Sequence, residues 1–404
     1  MNDEMNKSPR LFSLDLLRGL DMLLIVAVGR VLRAADGVWG LPPGLMAQIR
    51  HNWGGFTFWD IIMPLFIFMC GAAMPFALGK RMRDGRPTTA FWRHVAVRVA
   101  LLWVLGMVSQ GNLLTLDPMR ISPYNNTLQT IASGYLIAAC AMCVPNRWFR
   151  RLLPVVLALV YTALLAFLGD YTESGNFAMR FELKALSLLV PDGSEAYRLY
   201  GYTWFLTTLM FGAMTLTGLN ATELLRSRLS PWRKCAWLAF GGGALLAIGY
   251  GLSPVIPMVK PIFTLSFTAA AMGWSCLALA ALYALTDILG FRRGCGLFIL
   301  YGQYALWAYM SLTFYPAFVR FSEILLGGLG HWIGEKPMPF VHAVSCVCLV
   351  TCLLCESCDG EHDSVSVLGV WRNLEVLLVE TESLSVVLEL GSCTCSDLVS
   401  VSRL

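Results

Sequence analysis

A histidine and a carboxylate stand where the chain enters an apolar segment, in the stretch HNWGGFTFWDIIMPLFIFMCG at residues 51–71. His51 precedes the apolar run and Asp60 lies about one turn inside it, while Gly54 and Gly55 between them make a tight reversal easy. An imidazole can remove a proton from a nucleophile or be acylated itself, and a carboxylate beside it can fix its tautomer. The spacing predicts that His51 and Asp60 are catalytic residues facing one cavity.

Tryptophans at positions 53 and 59 flank this pair. Trp53 is a candidate for binding a substrate, because an indole can stack on the apolar face of a sugar ring. The alternative interpretation makes His51 a surface residue, Asp60 an anion at a helix N-terminus, and both tryptophans part of an interfacial aromatic belt.

Three ionisable residues lie within the first apolar stretch, SLDLLRGLDMLLIV at residues 13–26. Asp15, Arg18 and Asp21 follow one another at intervals of three, which predicts that Arg18 bridges both carboxylates on one helix. Arg18 and Asp15 are candidates for binding an anionic cofactor. The alternative is an ordinary interfacial helix start, with Arg18 reaching toward the headgroups.

Two weaker candidates for substrate binding precede or begin later apolar segments. Gln129 begins one in TLQTIASGYL, and Lys260 heads another in KPIFTLSFTAAAMG. Either side chain could line a polar cavity, and either could serve helix packing instead.

The elements that must position these residues are membrane helices. The chain is 57% hydrophobic and 14% charged, whereas soluble domains carry about a quarter charged residues. Apolar segments long enough to cross a bilayer recur along it, which predicts an all-α fold, a polytopic membrane helical bundle of about ten transmembrane helices. The ten predicted segments are 14–33, 58–78, 96–116, 128–145, 152–169, 201–219, 235–254, 262–287, 295–318 and 339–355.

Lysines and arginines concentrate in the links that follow the even-numbered segments, such as GKRMRDGRPTTAFWRHVAVR at residues 79–98. By the positive-inside rule this predicts a cytoplasmic N-terminus and an outward-facing His51. The first segment carries charges and lacks a small-residue cleavage site, which predicts a retained helix. We expect an integral membrane protein, in a bacterial inner membrane, with lipid as a partner. The basic residues act as a topology signal, so nucleic acid is not expected to bind.

The composition changes near residue 345. Seven of the thirteen cysteines fall in the last 60 residues, and Cys352, Cys355 and Cys358 form C-x-x-C-x-x-C. A zinc or iron–sulfur site would need turn residues between these cysteines, and the run AVSCVCLVTCLL has none, so no metal is predicted. The sequence predicts an integral membrane domain over 1–355 and an atypical tail over 356–404, which is either unstructured or read in a shifted frame.

Several stretches together resemble the heparan-alpha-glucosaminide N-acetyltransferase family and its bacterial relatives. They are RLFSLDLLRGLDMLLI, HNWGGFTFWDIIMPLFIFMCG, NTLQTIASGYLIAA, KPIFTLSFTAAAMGWSCLALAALY and YGQYALWAY, over roughly residues 10–320. Two positions depart from the family pattern. His51 stands two residues before Trp53 where the family has three, and Gly29 replaces an asparagine.

The resemblance implies a membrane acyltransferase with acetyl-CoA as co-substrate. It would move the acetyl group from the cytosol to the amine of a terminal glucosamine on the outer face, with His51 as the matching active-site histidine. Whether His51 carries the acetyl group or only deprotonates the amine stays open. A transporter for an amino sugar or similar solute, and an inactive paralogue, are the alternatives, and a homodimer is one option for the assembly.

Overall fold

A computed structural model describes residues 11–50, 52–83, 86–110, 113, 116–198 and 202–359. His51 and residues 360–404 lie outside the described residues, so the predictions about that histidine and about most of the tail stay predictions.

The described chain is almost entirely helical. Its α-helices are α1 (Phe12–Leu23), α2 (Gly29–Trp39), α3 (Pro43–Ala47), α4 (Ile62–Ala77), α5 (Thr89–Ser109), α6 (Thr127–Met142), α7 (Arg147–Leu168), α8 (Phe177–Leu189), α9 (Glu195–Arg198), α10 (Thr208–Leu225), α11 (Pro231–Leu252), α12 (Leu265–Leu282), α13 (Gly296–Gln303), α14 (Ala305–Met310), α15 (Tyr315–Leu326), α16 (Gly330–Ile333) and α17 (Met338–Asp359). π-helical segments Leu24–Val28 and Tyr283–Ile288 join α1 to α2 and extend α12, and Phe58–Asp60, Gly79–Arg81 and Gly327–Leu329 are 3₁₀ turns. The strands Met82–Arg83 and Arg86–Pro87, β1 and β2, form one short antiparallel ladder.

Six helices in the described part are long and apolar enough to cross a membrane. They are Phe58–Arg81, Thr89–Ser109, Arg147–Leu168, Pro231–Leu252, Leu265–Ile288 and Met338–Cys355. The predicted count of about ten is therefore not confirmed. The segment predicted at 14–33 is helical but carries charges, α6 has only 16 residues, and the segment predicted at 295–318 is divided among α13, α14 and the start of α15.

Side-chain caps explain where several of these helices begin. Asn126 accepts a hydrogen bond from the amide of Leu128, and Gln129 reaches back to the amide of Asn126, which completes a capping box at α6. Asn146 and Asn176 cap α7 and α8 without such a box, since their side chains accept hydrogen bonds from the amides of Trp148 and Met179. The polar residues between apolar segments thus fix helix boundaries.

The centre of the bundle depends on close helix approach at small residues. A Cβ atom added at Gly71 of α4 would lie 1.8 Å from the carbonyl oxygen of Thr215, and one added at Gly218 of α10 would lie 1.9 Å from that of Phe68. Only glycine allows these two backbones to meet, as in many membrane helix pairs. α4 is consequently buried along most of its length and holds its two ends at fixed positions.

The two ends of α12 meet different parts of the chain. Before its first residue lies the loop that carries Lys260, and beyond its last residue Asp287 accepts hydrogen bonds from the amides of Phe12 and Ser13, at 3.3 and 3.0 Å. Asp287 thereby caps the open amides at the start of α1. Because α12 has 18 residues, its two ends are about 27 Å apart along its axis.

Candidate functional site

Asp60 ends the 3₁₀ turn that precedes α4, and its carboxylate is buried. Its Oδ2 atom accepts hydrogen bonds from the amide and the hydroxyl of Thr57, at 2.9 and 2.8 Å. This is a capping box, with Thr57 as the capping residue. Asp60 therefore does act as an anion at a helix N-terminus, which leaves Oδ1 for a second partner.

That second partner is Lys260, whose Nζ atom lies 3.0 Å from Oδ1 of Asp60. The two side chains are only 6% and 3% exposed. Taking a single charge out of water costs far more than taking out a matched pair, so neither group would be buried here without the other. The structure thus brings together two of the predicted site residues, which are 200 positions apart in the sequence.

Backbone contacts hold the Lys260 loop against the turn before α4. Gly54 pairs with Val259, and the amide of Gly55 donates to the carbonyl of Met258 at 2.9 Å. Gly55 has a φ of +105°, a conformation that favours glycine. Within the loop, the hydroxyl of Thr264 donates to the carbonyl of Pro257 at 2.8 Å. The ion pair therefore lies in a rigid junction between two loops.

The electrostatics of this junction extend to Tyr202. Burial lowers the pKa of Lys260, and the charge of Asp60 opposes that effect. Burial raises the pKa of the Tyr202 phenol, and the charge of Asp60 raises it further. The Tyr202 ring is half-buried and stacks on Trp204, with 5.1 Å between the ring centroids. An aromatic face therefore lies within electrostatic reach of the carboxylate.

Trp53 forms part of the same junction, because it directly precedes the paired glycines. Its ring is half-buried, and its indole N–H donates to the carbonyl of Tyr171 at 3.4 Å. Nearby, the buried Glu182 of α8 accepts hydrogen bonds from the amides of Trp204 and Phe205, at 3.0 and 2.9 Å. Burial raises the pKa of Glu182 to about 7. These two hydrogen bonds hold α8 against the segment that contains Tyr202.

Gln129 lies apart from this junction and serves its own loop. Its Oε1 atom accepts from the amides of Asn125 and Asn126, and its Nε2 donates to the carbonyl of Pro123 at 2.9 Å. These three hydrogen bonds account for its burial, so the geometry supports a structural role in the start of α6.

Arg18 and Asp15 also lie apart, in the half of α1 that follows the Asp287 cap. Arg18 contacts Asp15 at 3.8 Å. The prediction that Arg18 also bridges Asp21 is wrong, since both carboxylate oxygens of Asp21 are buried without a hydrogen-bond partner among the described residues. Asp15 and Asp21 are six residues apart, so they point about 120° away from each other on a helix with 100° per residue.

Tyr202 and Glu182 were not predicted from the sequence. Tyr202 belongs to the run YTWF, whose aromatic density before α10 is a signal for an interfacial or binding surface. Glu182 has no such signal, because its importance comes from the two backbone amides it meets in the fold.

Comparison with protein families relates the first part of the chain to a domain family. Residues 10–173 match a domain family described as a domain of unknown function, DUF5009. The matched region includes Arg18, Trp53 and Asp60 and ends well before Lys260. No curated protein matches the chain. The chain is therefore a helical protein with several membrane-type helices, and its first part is similar to DUF5009.

Proposed function

We propose that this protein is a transmembrane N-acetyltransferase. It takes the acetyl group of cytosolic acetyl-CoA and transfers it to the amine of a glucosamine-type sugar on the outer face. The observation that carries the proposal is the buried pair of Asp60 and Lys260, held at a junction whose Gly54 follows His51 by three positions in the sequence. Buried ionisable groups in a membrane protein most often line a functional site.

In the reaction, the sugar ammonium first loses a proton and its nitrogen attacks the carbonyl carbon of the acetyl group. A carbon–nitrogen bond forms, the carbon–sulfur bond of the thioester breaks, and CoA leaves as a thiol. His51 either accepts the amine proton or carries the acetyl group between the two substrates. Asp60 orients the imidazole through a second lone pair of Oδ1, an oxygen it shares with Lys260, because Oδ2 already accepts two hydrogen bonds from Thr57.

The sugar ring would lie between two aromatic side chains. Trp53 and Tyr202 are both half-buried, and both belong to segments that meet at the ion pair. Their faces suit the apolar face of a sugar, while Lys260 suits its hydroxyl groups as a hydrogen-bond donor.

The donor enters from the opposite end of the bundle. Arg18, with Asp15 holding its side chain, compensates negative charge on acetyl-CoA there. This arrangement requires a cytoplasmic N-terminus and about ten crossings in a bacterial inner membrane. The six long helices would supply six of them, and the segment from α1 to α2, α6, α10 and the segment from α13 to α15 would supply the other four.

One observation favours a carrier for an amino sugar as the second candidate. Asp21 lies fully buried in α1, with both oxygens unpartnered in the described part of the chain, next to the π-helical segment Leu24–Val28. Intramembrane carboxylates and π-bulges are both frequent in transport pathways and at other functional sites.

The test uses purified protein in lipid nanodiscs with labelled acetyl-CoA and glucosamine, followed for N-acetylglucosamine. We expect product with the natural chain, a large loss of rate with His51→Ala and Lys260→Met, and no loss with Lys184→Met, which removes an exposed lysine of α8. Absence of product with the natural chain, or full activity of His51→Ala, would refute the proposal. Uptake of glucosamine into vesicles without acetyl-CoA would favour the carrier.

A further inference from the structure

A second polar cluster lies between α4, α5 and α6, toward the end of α4 that is remote from Asp60. His94 and Arg98 are four residues apart on α5 and therefore share one face. The guanidinium of Arg98 lies over the ring of Tyr135 on α6, with 4.9 Å from its central carbon to the ring centroid. Arg98 also interacts with the thiol of Cys70 on α4. Three helices thus contribute to one group of polar side chains.

Two members of this cluster are buried without hydrogen bonds. Both ring nitrogens of His94 and the hydroxyl of Tyr135 have no hydrogen-bond partner among the described residues. Each of the two residues is 1% exposed. Buried polar atoms of this kind are rare because leaving them unpaired is unfavourable, so their presence indicates a partner that binds between the helices.

The charge around these atoms is positive. Arg81 and Arg98 both interact electrostatically with His94 and with Tyr135. Arg18 of α1 and Arg98 act in the same way on Cys70. Cations inside a membrane bundle are unfavourable unless an anion or a polar cavity balances them. Arg98 therefore places positive charge beside the unpaired atoms, and Arg81 and Arg18 add to it from two other elements.

We infer that Arg98, His94 and Tyr135 form a binding site for a phosphate ester, with Arg81 and Arg18 adding positive charge. Phosphate oxygens only accept hydrogen bonds, while guanidinium, imidazole and phenol groups can all donate them. We take the pyrophosphate of CoA as the ligand, and this choice rests on the proposed function. The recognition of a phosphate group does not depend on it. An anionic lipid headgroup carries the same chemistry and is the other source of this ligand.

The site can be tested by calorimetry on the full chain in phosphatidylcholine nanodiscs, with CoA and with pantetheine as probes. Pantetheine keeps the thiol arm of CoA and lacks its phosphates. We expect the natural chain to bind CoA at least about tenfold more tightly than pantetheine. Arg98→Gln should abolish that difference. The matched control Arg233→Gln removes an exposed arginine at the start of α11 and should preserve it.

A second variant with a smaller change tests the site even if Arg98→Gln does not fold. Tyr135→Phe keeps the ring under Arg98 and removes only the unpaired hydroxyl, so it should weaken CoA binding about threefold or more and leave pantetheine binding unchanged. Nanodiscs that contain phosphatidylglycerol form the lipid arm. Retention of that lipid by the natural chain but not by Arg98→Gln, measured by native mass spectrometry, would support the phosphate site with a lipid as its ligand.

The inference is overturned if Arg98→Gln changes neither the preference for CoA over pantetheine nor the retention of phosphatidylglycerol. Failure of the proposed function has a different signature. Phosphate binding that depends on Arg98, together with no acetylated sugar, would refute the transferase and preserve this site. Acetyl transfer in Arg98→Gln with an unchanged KM for acetyl-CoA and unchanged retention of phosphatidylglycerol would refute the site and preserve the transferase.

Discussion

Replacing Lys260 with methionine should destabilise the protein strongly, because the Asp60 carboxylate would then be buried without its counter-ion. The pair is 3.0 Å apart and its members are 6% and 3% exposed, so solvent screening does little to weaken it. Removing one partner of such a pair costs about 3–5 kcal/mol. Asp60 would keep its hydrogen bonds from Thr57, which places the expected loss at the lower end, about 3 kcal/mol.

Replacing both partners should cost less than the sum of the single changes. In the double variant Asp60→Asn with Lys260→Met no unpaired charge remains, and the asparagine oxygen can still accept from the Thr57 amide. Coupling energies between contacting residues are about 0.5–3 kcal/mol. With each single change costing about 3 kcal/mol and a coupling near the upper limit, the double variant should be about 3 kcal/mol less stable than the natural chain, instead of the about 6 kcal/mol that additivity gives.

The free energy of unfolding can be measured by denaturant titration in one detergent, with tryptophan fluorescence as the signal. Lys184→Met is the control, since this lysine of α8 is exposed and its loss should change stability by no more than about 0.5 kcal/mol. A loss under about 1 kcal/mol for Lys260→Met, or strict additivity in the double variant, would refute the idea that the two charges depend on each other.

Three further predictions concern other parts of the fold. Glu182 has its pKa raised from 4.5 to about 7, so between these pH values the folded chain binds a proton that the unfolded chain has lost. The free energy of unfolding should therefore fall by about 3 kcal/mol as pH rises from 4.5 to 7, and Glu182→Gln, followed by the same titration, should remove this fall. A Cβ atom at Gly29 would lie 2.4 Å from the Trp59 ring, so Gly29→Ala should cost about 1–3 kcal/mol, whereas Gly37→Ala on the same helix meets nothing within 4 Å and should cost none. A cysteine introduced in place of the exposed Lys184 should react with an impermeant thiol reagent in intact spheroplasts, and reaction only after lysis would reverse the proposed orientation.

The membrane helices were predictable where apolar residues run without interruption, as at 58–78 and 262–287. The third predicted segment, 96–116, was shifted by seven residues, about two turns, because the observed helix is Thr89–Ser109. Arg93, His94 and Arg98 lower the local hydropathy, so the apolar segment was predicted to begin after most of them. The observed helix begins where Thr88 caps it and therefore includes all three. A boundary fixed by a cap, with polar residues inside the helix, cannot be found from apolar content.

The candidate site was predicted as single residues rather than as contacts. Asp60 was found because it interrupts an apolar segment, Trp53 because its indole stands just before that segment, and Lys260 because it heads another one. The contact between Asp60 and Lys260 follows from the pairing of Gly54 with Val259, which no sequence period encodes. The predicted bridge from Arg18 to Asp21 was wrong for a different reason. The spacing of each pair was considered separately, whereas the positions of all three residues around the helix have to be considered together.

The depth of the proposed phosphate site bears on how an acetyl group could cross the bundle. α5 has 21 residues and so is about 32 Å long, and Arg98 lies nine residues from its start, about 14 Å along it. Phosphates held at that level are already almost halfway through the helix. The thioester would then have about 18 Å left to reach the level of the far end of α5, whereas phosphates held at the membrane surface would leave the full length of about 32 Å. A deep cationic site next to Tyr135 therefore brings the donor within reach of the Asp60 junction without any movement of α4, whose close contact with α10 at Gly71 and Gly218 fixes it in place.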